Sequence, residues 1–290
     1  MAFIVKILFY LIRCLPVRLA GAIGAGLGRM AYLLDSRHRS IAMRNLSRIY
    51  PQQNEAWKRK TSRESFAELG RTSFEMPHVF LRSQQFLKSR IEFVGLEEIA
   101  KAHQDGHGVI FTACHLSNWE IGALSVSLID FPSAQMYRAV RQKPLDRFLK
   151  QCRERFGNRL HERRENMRWL PKALKQGQSV SIMIDQHLSN GIPIPFLGHP
   201  ARSTTLPAAY ARRNNATLFA GLVHRIDHQF RFRIEFKRIE LLEQNPNTEQ
   251  DAIACTSELH QAYAETIHQY PEQWLWIHRR WLYLDEQEQV

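Results

Sequence analysis

The run Val109-Ile110-Phe111-Thr112-Ala113-Cys114 leads straight into His115, and a helical pattern starts a few residues later. The run is short, rich in β-branched residues and bounded by Gly106 and Gly108, which reads as a buried strand. Ser117 or Asn118 can cap a helix beginning near Trp119. A strand that enters a helix through so short a turn points to an α/β fold. His115 then sits at the carboxyl edge of a sheet, where open α/β folds place their ligands.

Two readings of this turn compete. In one, Ser117-Asn118-Trp119-Glu120 is a capping box, with Glu120 at the third helical position reaching back to the cap. In the other, Glu120 turns towards His115 and fixes its tautomer, so that the other ring nitrogen can take a proton from a hydroxyl. One carboxylate can do both, since it has two oxygens. Cys114 is adjacent to the histidine, but neighbours on an extended segment face opposite ways, which makes it a core residue.

The rest of the chain supports an α/β domain with a mixed central sheet flanked by helices. From Arg37 to Arg90 the pattern is helical, with breaks expected at Pro51 and Pro77. Arg39, Arg44 and Arg48 lie near one helical face, which is either solvated or in reach of lipid phosphate. Ile91–Val94 opens the sheet, a helix follows over Leu96–His103, and the helix after His115 runs to about Leu128. Ala134–Val140 reads as a strand ending at Tyr137-Arg138, and Pro144 opens a helix that carries Arg147, Arg153 and Arg155. Ser179–Ile184 is another buried strand with Asp185-Gln186 at its end, a position shared by active-site acids and loop caps. Pro193 to Pro200 reads as an irregular loop suited to lining an acyl channel. Thr204 caps a helix into Ala211, and 216–223 with 230–236 alternate as late strands or a hairpin. A long helix from about Thr248 to Tyr270 leads to Trp274, Trp276 and Trp281 around His278-Arg279-Arg280. These fit either a membrane interface or a core.

Residues 1–34 are rich in Leu, Ile, Ala and Gly but broken by Lys6, Arg13, Pro16, Arg18 and Arg29, far short of the ~20 apolar residues that span a bilayer. Two amphipathic segments meeting near Pro16 read as a hydrophobic anchor lying in the membrane, ahead of a single domain over 35–290. An N-terminal helix packed on the domain is the alternative. The net charge of +12 calls for an acidic partner. The basic residues are dispersed and no nucleic-acid-binding signature is present, which leaves an anionic lipid membrane rather than nucleic acid. Four widely spaced cysteines form no Cys-x-x-Cys pair and fit a reducing compartment without a structural zinc site.

His-x-x-Asn-Trp-Glu after an apolar strand resembles the His-x4-Asp/Glu box of the glycerolipid acyltransferases. More narrowly it resembles the lauroyl and myristoyl acyltransferases of lipid A biosynthesis. Other stretches agree in order: Arg44-Asn45-Leu46 with Tyr50-Pro51, Gly70-Arg71 with Glu75, and Tyr137-Arg138. Pro144-Leu145-Asp146 leading to Arg153 and Gly157 comes next, then Asp185-Gln186, Phe196-Leu197-Gly198-x-Pro200-Ala201 and Trp274-x-Trp276-x-His278-Arg279-Arg280.

The resemblance implies an O-acyltransferase at the cytoplasmic face of the inner membrane. It would move an acyl chain from a thioester, acyl carrier protein rather than coenzyme A, to a hydroxyl of a lipid A precursor or related glycolipid. It implies catalytic roles for His115, Glu120, Asp185 and Arg153, with Asp185 positioning either His115 or an arginine. Substrate contacts would come from Arg138, Asn118 and Gln186, and neither metal nor redox cofactor is expected. The rivals are an acyltransferase on another lipid (an aminolipid or lysophospholipid), a lipid or thioester hydrolase using water at the same turn, and a non-enzymatic basic membrane-binding protein. No Gly-x-Ser-x-Gly elbow supports the hydrolase.

Overall fold

The computed structural model describes residues 2–106, 108–241 and 248–287. Four helices open the chain: α1 (Ala2–Cys14), α2 (Val17–Leu34), α3 (Ser36–Ile49) and α4 (Glu55–Leu81). A short α5 (Gln84–Lys88) leads to β1 (Ile91–Val94), and helices and strands then alternate. They are α6 (Leu96–Gln104), β2 (Val109–Ala113), α7 (Trp119–Leu128), β3 (Ser133–Tyr137), α8 (Lys143–Glu154), β4 (Arg159–Glu162), α9 (Trp169–Lys175) and β5 (Ser179–Met183). The hairpin β6 (Ile192–Phe196) and β7 (His199–Ser203) follows, then α10 (Leu206–Arg213), β8 (Thr217–Asp227), β9 (Arg231–Ile239), α11 (Thr248–Gln269) and α12 (Leu282–Gln287).

Seven strands make one mixed sheet in the order β1-β9-β8-β2-β5-β3-β4. Only β8 and β9 pair antiparallel; the other neighbours run parallel. The middle strands are apolar along their length because both faces are covered. Ile110, Val180 and Leu218 face one core with residues of α3, α10 and α11, while Val109, Phe111 and Phe219 face another with residues of α5 to α8. This is the mixed, helix-flanked sheet that the sequence predicts.

Several local expectations change. Pro77 does not break the helix but lies within the last turns of α4. The Pro193–Pro200 segment is a hairpin, not an irregular loop: a two-stranded ribbon tolerates proline, and Leu197 and Gly198 both take positive φ at its turn. Phe196 packs 5.5 Å from Trp274 and 6.0 Å from Trp281 in the core. The arginines of α3 have protein partners. Arg39 donates to the Tyr32 and Leu33 carbonyls at the end of α2, and Arg44 and Arg48 pair with Asp285.

An N-terminal hydrophobic anchor set apart from the domain is not supported. No described helix is long and apolar enough to cross a membrane. Nor does α2 stand apart from the domain. It buries Ala20, Gly21, Gly24, Ala25 and Gly28 against α4. A Cβ on Gly24 would come within 2.4 Å of the Gly70 carbonyl oxygen, and one on Gly70 within 2.1 Å of that of Gly24. The two backbones touch at this crossing, and only glycine fits on either side. With the small residues turned inward, the large apolar ones, Leu19, Ile23, Leu27 and Leu34 among them, are left outside.

Candidate active site

β2 and β5 are parallel neighbours with Ala113 opposite Met183, so His115 and Asp185, each two residues further on, stand side by side at the carboxyl edge. Asp185 Oδ1 accepts from His115 Nδ1 at 2.7 Å, and Oδ2 accepts from the His115 backbone N–H at 2.8 Å and from Trp274 Nε1 at 3.0 Å. Three donors thus compensate a carboxylate that is fully buried. The bond to Asp185 puts the proton on Nδ1 and leaves Nε2 as an acceptor, with Gln186 Nε2 3.3 Å away. The His115 side chain remains 16% exposed.

Burial lowers the His115 pKa, but the charge of Asp185, its hydrogen bond and the charge of Glu120 outweigh this and raise it. Burial raises that of Asp185, and the charge and hydrogen bonds of His115, aided by Trp274, bring it down to about 2. The arrangement is an imidazole whose outer nitrogen can take a proton while the inner one stays fixed to a permanent anion.

Glu120 is not the residue that holds the histidine. It binds Arg153 bidentately, Nε to Oε2 at 2.9 Å and Nη2 to Oε1 at 2.6 Å. Its effect on His115 is through charge. The reason is the cap. Asn118, not Ser117, caps α7 through a 3.2 Å bond from the Ile121 N–H, so Glu120 falls at the second helical position and completes no capping box. Arg153 reaches across from α8 to make this pair. Its pKa is lowered by burial but raised overall by the bond and charge of Glu120.

Behind the turn lies an ionic cluster that sequence reasoning missed. Arg225 of β8 donates to Glu68 Oε1 at 2.7 Å and to both oxygens of Glu75 at 3.0 and 2.8 Å. Asn118 Nδ2 adds a bond to Glu75 Oε2 at 3.0 Å. Ser117, at φ 51°, donates its N–H to the Gln273 carbonyl at 2.7 Å and accepts from Thr72 Oγ1 at 3.2 Å. Gln273 in turn bonds both the N–H and C=O of Arg225. A charged residue inside the apolar strand Thr217–Asp227 and a Glu75 in helical register with Arg71 were the available signals. Asn118, expected to touch substrate, is fully enclosed with both ends of its amide occupied.

Arg138 follows β3, two strands from β2 and so roughly 10 Å along the same edge. It is exposed, and Asp146 holds its turn by accepting from Tyr137 Oη at 3.3 Å and the Val140 N–H at 2.8 Å. The C-terminal Trp-Arg motif lies in the core and not at a surface belt: Trp274, Trp276, Trp281 and Arg280 are all buried. Arg280 donates to the carbonyls of Gln186 and Arg202 and to Ser203 Oγ, and the His187 N–H donates to His278 Nε2 at 2.8 Å. Cys114 is buried, and burial with the nearby Asp185 charge holds its thiol protonated. Among the described residues, no group of His, Cys, Asp and Glu is arranged to hold a metal ion.

The sequence matches the profile of the bacterial lipid A biosynthesis acyltransferases over residues 1–283. It is 24% identical over 266 residues to a lipid A biosynthesis acyltransferase of Haemophilus influenzae, covering 90% of this chain and 79% of that protein. It is 24% identical over 277 residues to the lipid A biosynthesis lauroyltransferase of Escherichia coli, with 93% and 88% covered. Identity to the palmitoleoyltransferase of Escherichia coli is 26% over 271 residues, with 92% and 86% covered. A match along nearly the whole chain, with a histidine and a carboxylate paired at the sheet edge, makes this protein an acyltransferase of the bacterial lipid A biosynthesis family.

Proposed function

We propose that the protein transfers a fatty acyl chain from an acyl thioester, carried by acyl carrier protein, to a hydroxyl of a lipid A precursor at a membrane surface. The observation that carries this reading is the His115–Asp185 pair at 2.7 Å, with Nε2 left as the acceptor at the open edge. His115 Nε2 takes the proton of the acceptor hydroxyl as its oxygen attacks the thioester carbonyl carbon. The tetrahedral intermediate then expels the thiolate, and His115 returns the proton to sulfur. Asp185 holds the tautomer and stabilises the imidazolium. Its contact with His115 supports this role, which passes to it from Glu120. Glu120 keeps Arg153 in place beside the turn. The oxyanion is met by the amide of Gln186 and the first N–H groups of α7, where the helix dipole favours negative charge.

The exposed apolar side chains of α1 and α2 support a membrane-facing surface without a spanning helix. The +12 charge suits both an anionic bilayer and an acidic carrier protein, whose approach it would accelerate. The test follows a labelled acyl chain from acyl carrier protein to a purified lipid A precursor. A positioned general base contributes about 10²–10⁴ in rate, so His115→Ala should lose that much, measured well below the melting temperature of the variant. Near-normal turnover of the variant removes His115 from the chemistry.

A further inference from the structure

The segment 273–280 crosses the carboxyl ends of β8, β2 and β5 and bonds to each. Near the end of β8, the Gln273 side chain accepts from the Arg225 N–H at 2.7 Å and donates to its carbonyl at 3.1 Å. At the turn after β2, Trp274 pairs with Leu116 in a single antiparallel bridge. The Gln273 carbonyl accepts there from the Ser117 N–H at 2.7 Å, and the Leu275 N–H donates to the His115 carbonyl at 3.2 Å. After β5, His278 Nε2 accepts from the His187 N–H at 2.8 Å, and Arg280 Nη1 donates to the Gln186 carbonyl at 3.0 Å. Asn45 of α3 holds this strap itself, donating to the carbonyls of Trp276 and His278 at 2.8 Å each. The strap thus joins two sequence motifs, Arg44-Asn45-Leu46 and Trp274-x-Trp276-x-His278-Arg279-Arg280, to which the proton transfer by itself gives no part.

One side chain of the strap reaches the reacting pair. Trp274 Nε1 donates to Asp185 Oδ2 at 3.0 Å, beside the His115 backbone N–H on the same oxygen, while Oδ1 accepts from His115 Nδ1. The indole is fixed in place, with ring centres of Trp276, Phe196 and Trp281 at 4.7, 5.5 and 5.9 Å. Trp274 and Asp185 are each only 2% exposed, so solvent does not replace this donor when it is lost. An indole N–H donates only, and it neither accepts nor carries a charge. It draws on the carboxylate without adding a cation that would compete with the imidazolium. A carboxylate with fewer donors keeps more of its charge for the Nδ1–H of the histidine, and a base that stays protonated at working pH is idle.

We propose that Trp274 is a positioning residue of this site: its indole N–H holds Asp185 Oδ2 and limits the grip of that carboxylate on His115, and the strap carries it there. The proposal rests on His115 as the general base of acyl transfer and adds the residue that keeps this base available. Other charged and titratable groups face the pair from each neighbouring element. Cys114 ends β2, Glu120 of α7 is paired with Arg153, and His187 follows β5. His260 and Tyr263 come from α11, and His278 and Arg280 from the strap. Burial holds Cys114 and Tyr263 protonated, and it holds His260 and His278 neutral by pushing their pKa values down to about 3 and about 4. Arg280 stays a cation, although burial lowers its pKa to about 10. These five groups keep their charge where His115 titrates.

The test titrates the His115 imidazole by NMR in histidine-labelled protein, its resonance assigned by its loss in His115→Ala, and follows acyl transfer against pH in parallel. Trp274→Phe keeps an aromatic ring and removes the N–H. The His115 midpoint should rise by roughly 0.5–1 pH unit, and the acid limb of activity should rise with it. Below the wild-type midpoint this is a loss of about threefold to tenfold in rate, which recovers as the pH is raised. The direction is opposite to that expected of Asp185→Asn, which removes the carboxylate charge instead of releasing it. Trp276→Phe is the control: it removes an indole N–H, bound to the Pro271 carbonyl, from the same strap without touching Asp185. It should lower the melting temperature as Trp274→Phe does but leave the midpoint in place. An unmoved or lowered midpoint in Trp274→Phe, or an equal rise in Trp276→Phe, overturns the role of Trp274. A midpoint that rises by NMR while the acid limb of activity stays in place supports the hold of Trp274 on Asp185 and rejects His115 as the base. Should Trp274→Phe fail to fold, benzothienylalanine at position 274, which keeps the bicyclic shape and lacks the N–H, must give the same rise.

Discussion

Asp185 and Glu75 approach the turn between β2 and α7 from opposite sides, and their surroundings set them to different work. Asp185 faces a titratable partner, His115, whose outer nitrogen remains open at the sheet edge. Glu75 faces Arg225, which cannot give up its charge, and both are enclosed. Burial pushes the Glu75 pKa up and Arg225 opposes it, whereas Asp185 is held down at about 2. One carboxylate therefore tunes a proton acceptor. The other is part of the mould that holds the turn, including the positive φ of Ser117, against β8 and α4.

The largest expected effect is on the open side. Asp185→Asn should cost on the order of 10²–10⁴ in kcat/KM, through loss of tautomer control and imidazolium stabilisation. The pH profile gives a sharper readout. Because the His115 pKa is raised and the base must be unprotonated, activity should rise with pH through a midpoint above the usual value of about 6.5. Removing the Asp185 charge moves that midpoint down. Glu120→Gln should move it the same way by less, since Glu120 acts on His115 through charge alone. An unshifted acid limb in Asp185→Asn, or a greater shift in Glu120→Gln, would transfer the orienting role back to Glu120.

On the closed side the expected loss is one of stability. Glu75→Gln leaves Arg225 as a buried cation with half its partners, which costs roughly 3–5 kcal/mol and lowers the melting temperature by on the order of 10 °C. Turnover measured well below that temperature should stay within about tenfold of wild type. A variant that melts normally yet loses as much activity as Asp185→Asn would erase the distinction between the two sides.

The smallest effect is expected at the turn itself. Ser117 takes φ 51°, which glycine adopts freely, and its hydroxyl makes only a long 3.4 Å contact with Glu68. Ser117→Gly should change stability by no more than about 0.5 kcal/mol, measured by denaturant unfolding. A loss approaching that of Glu75→Gln would place the anchor of the turn in the Ser117 side chain instead of in the ionic cluster.

Much of this protein was legible because it is local. β2, α7, β5 and α11 are written in apolar periodicity and caps, and His115 and Asp185 each follow a strand whose burial shows in its composition. That both strands end at one edge follows from their parallel pairing, which only the assembled sheet reveals. The partners of the charged groups were not legible. Glu120 is five residues from His115, yet Asp185, seventy residues away, holds the histidine, because β5 lies beside β2 and Arg153 claims Glu120 from α8. Capping was legible as a signal shared by Ser117 and Asn118, and the choice of Asn118 sets the aim of every side chain of the first turn.

The amino-acid sequence by itself determined the α/β class, the histidine at a strand end and the family, since each depends on residues close in the chain or on an ordered set of short motifs. The tertiary structure alone decided which carboxylate meets His115 and that Arg225 closes the back of the turn. It decided too that α1 and α2 turn small and cationic residues inward and large apolar ones outward. An amphipathic pattern states that a helix has two faces but not which face the fold will cover. That choice was made by the glycine-to-glycine crossing of α2 on α4, a contact between residues more than forty positions apart.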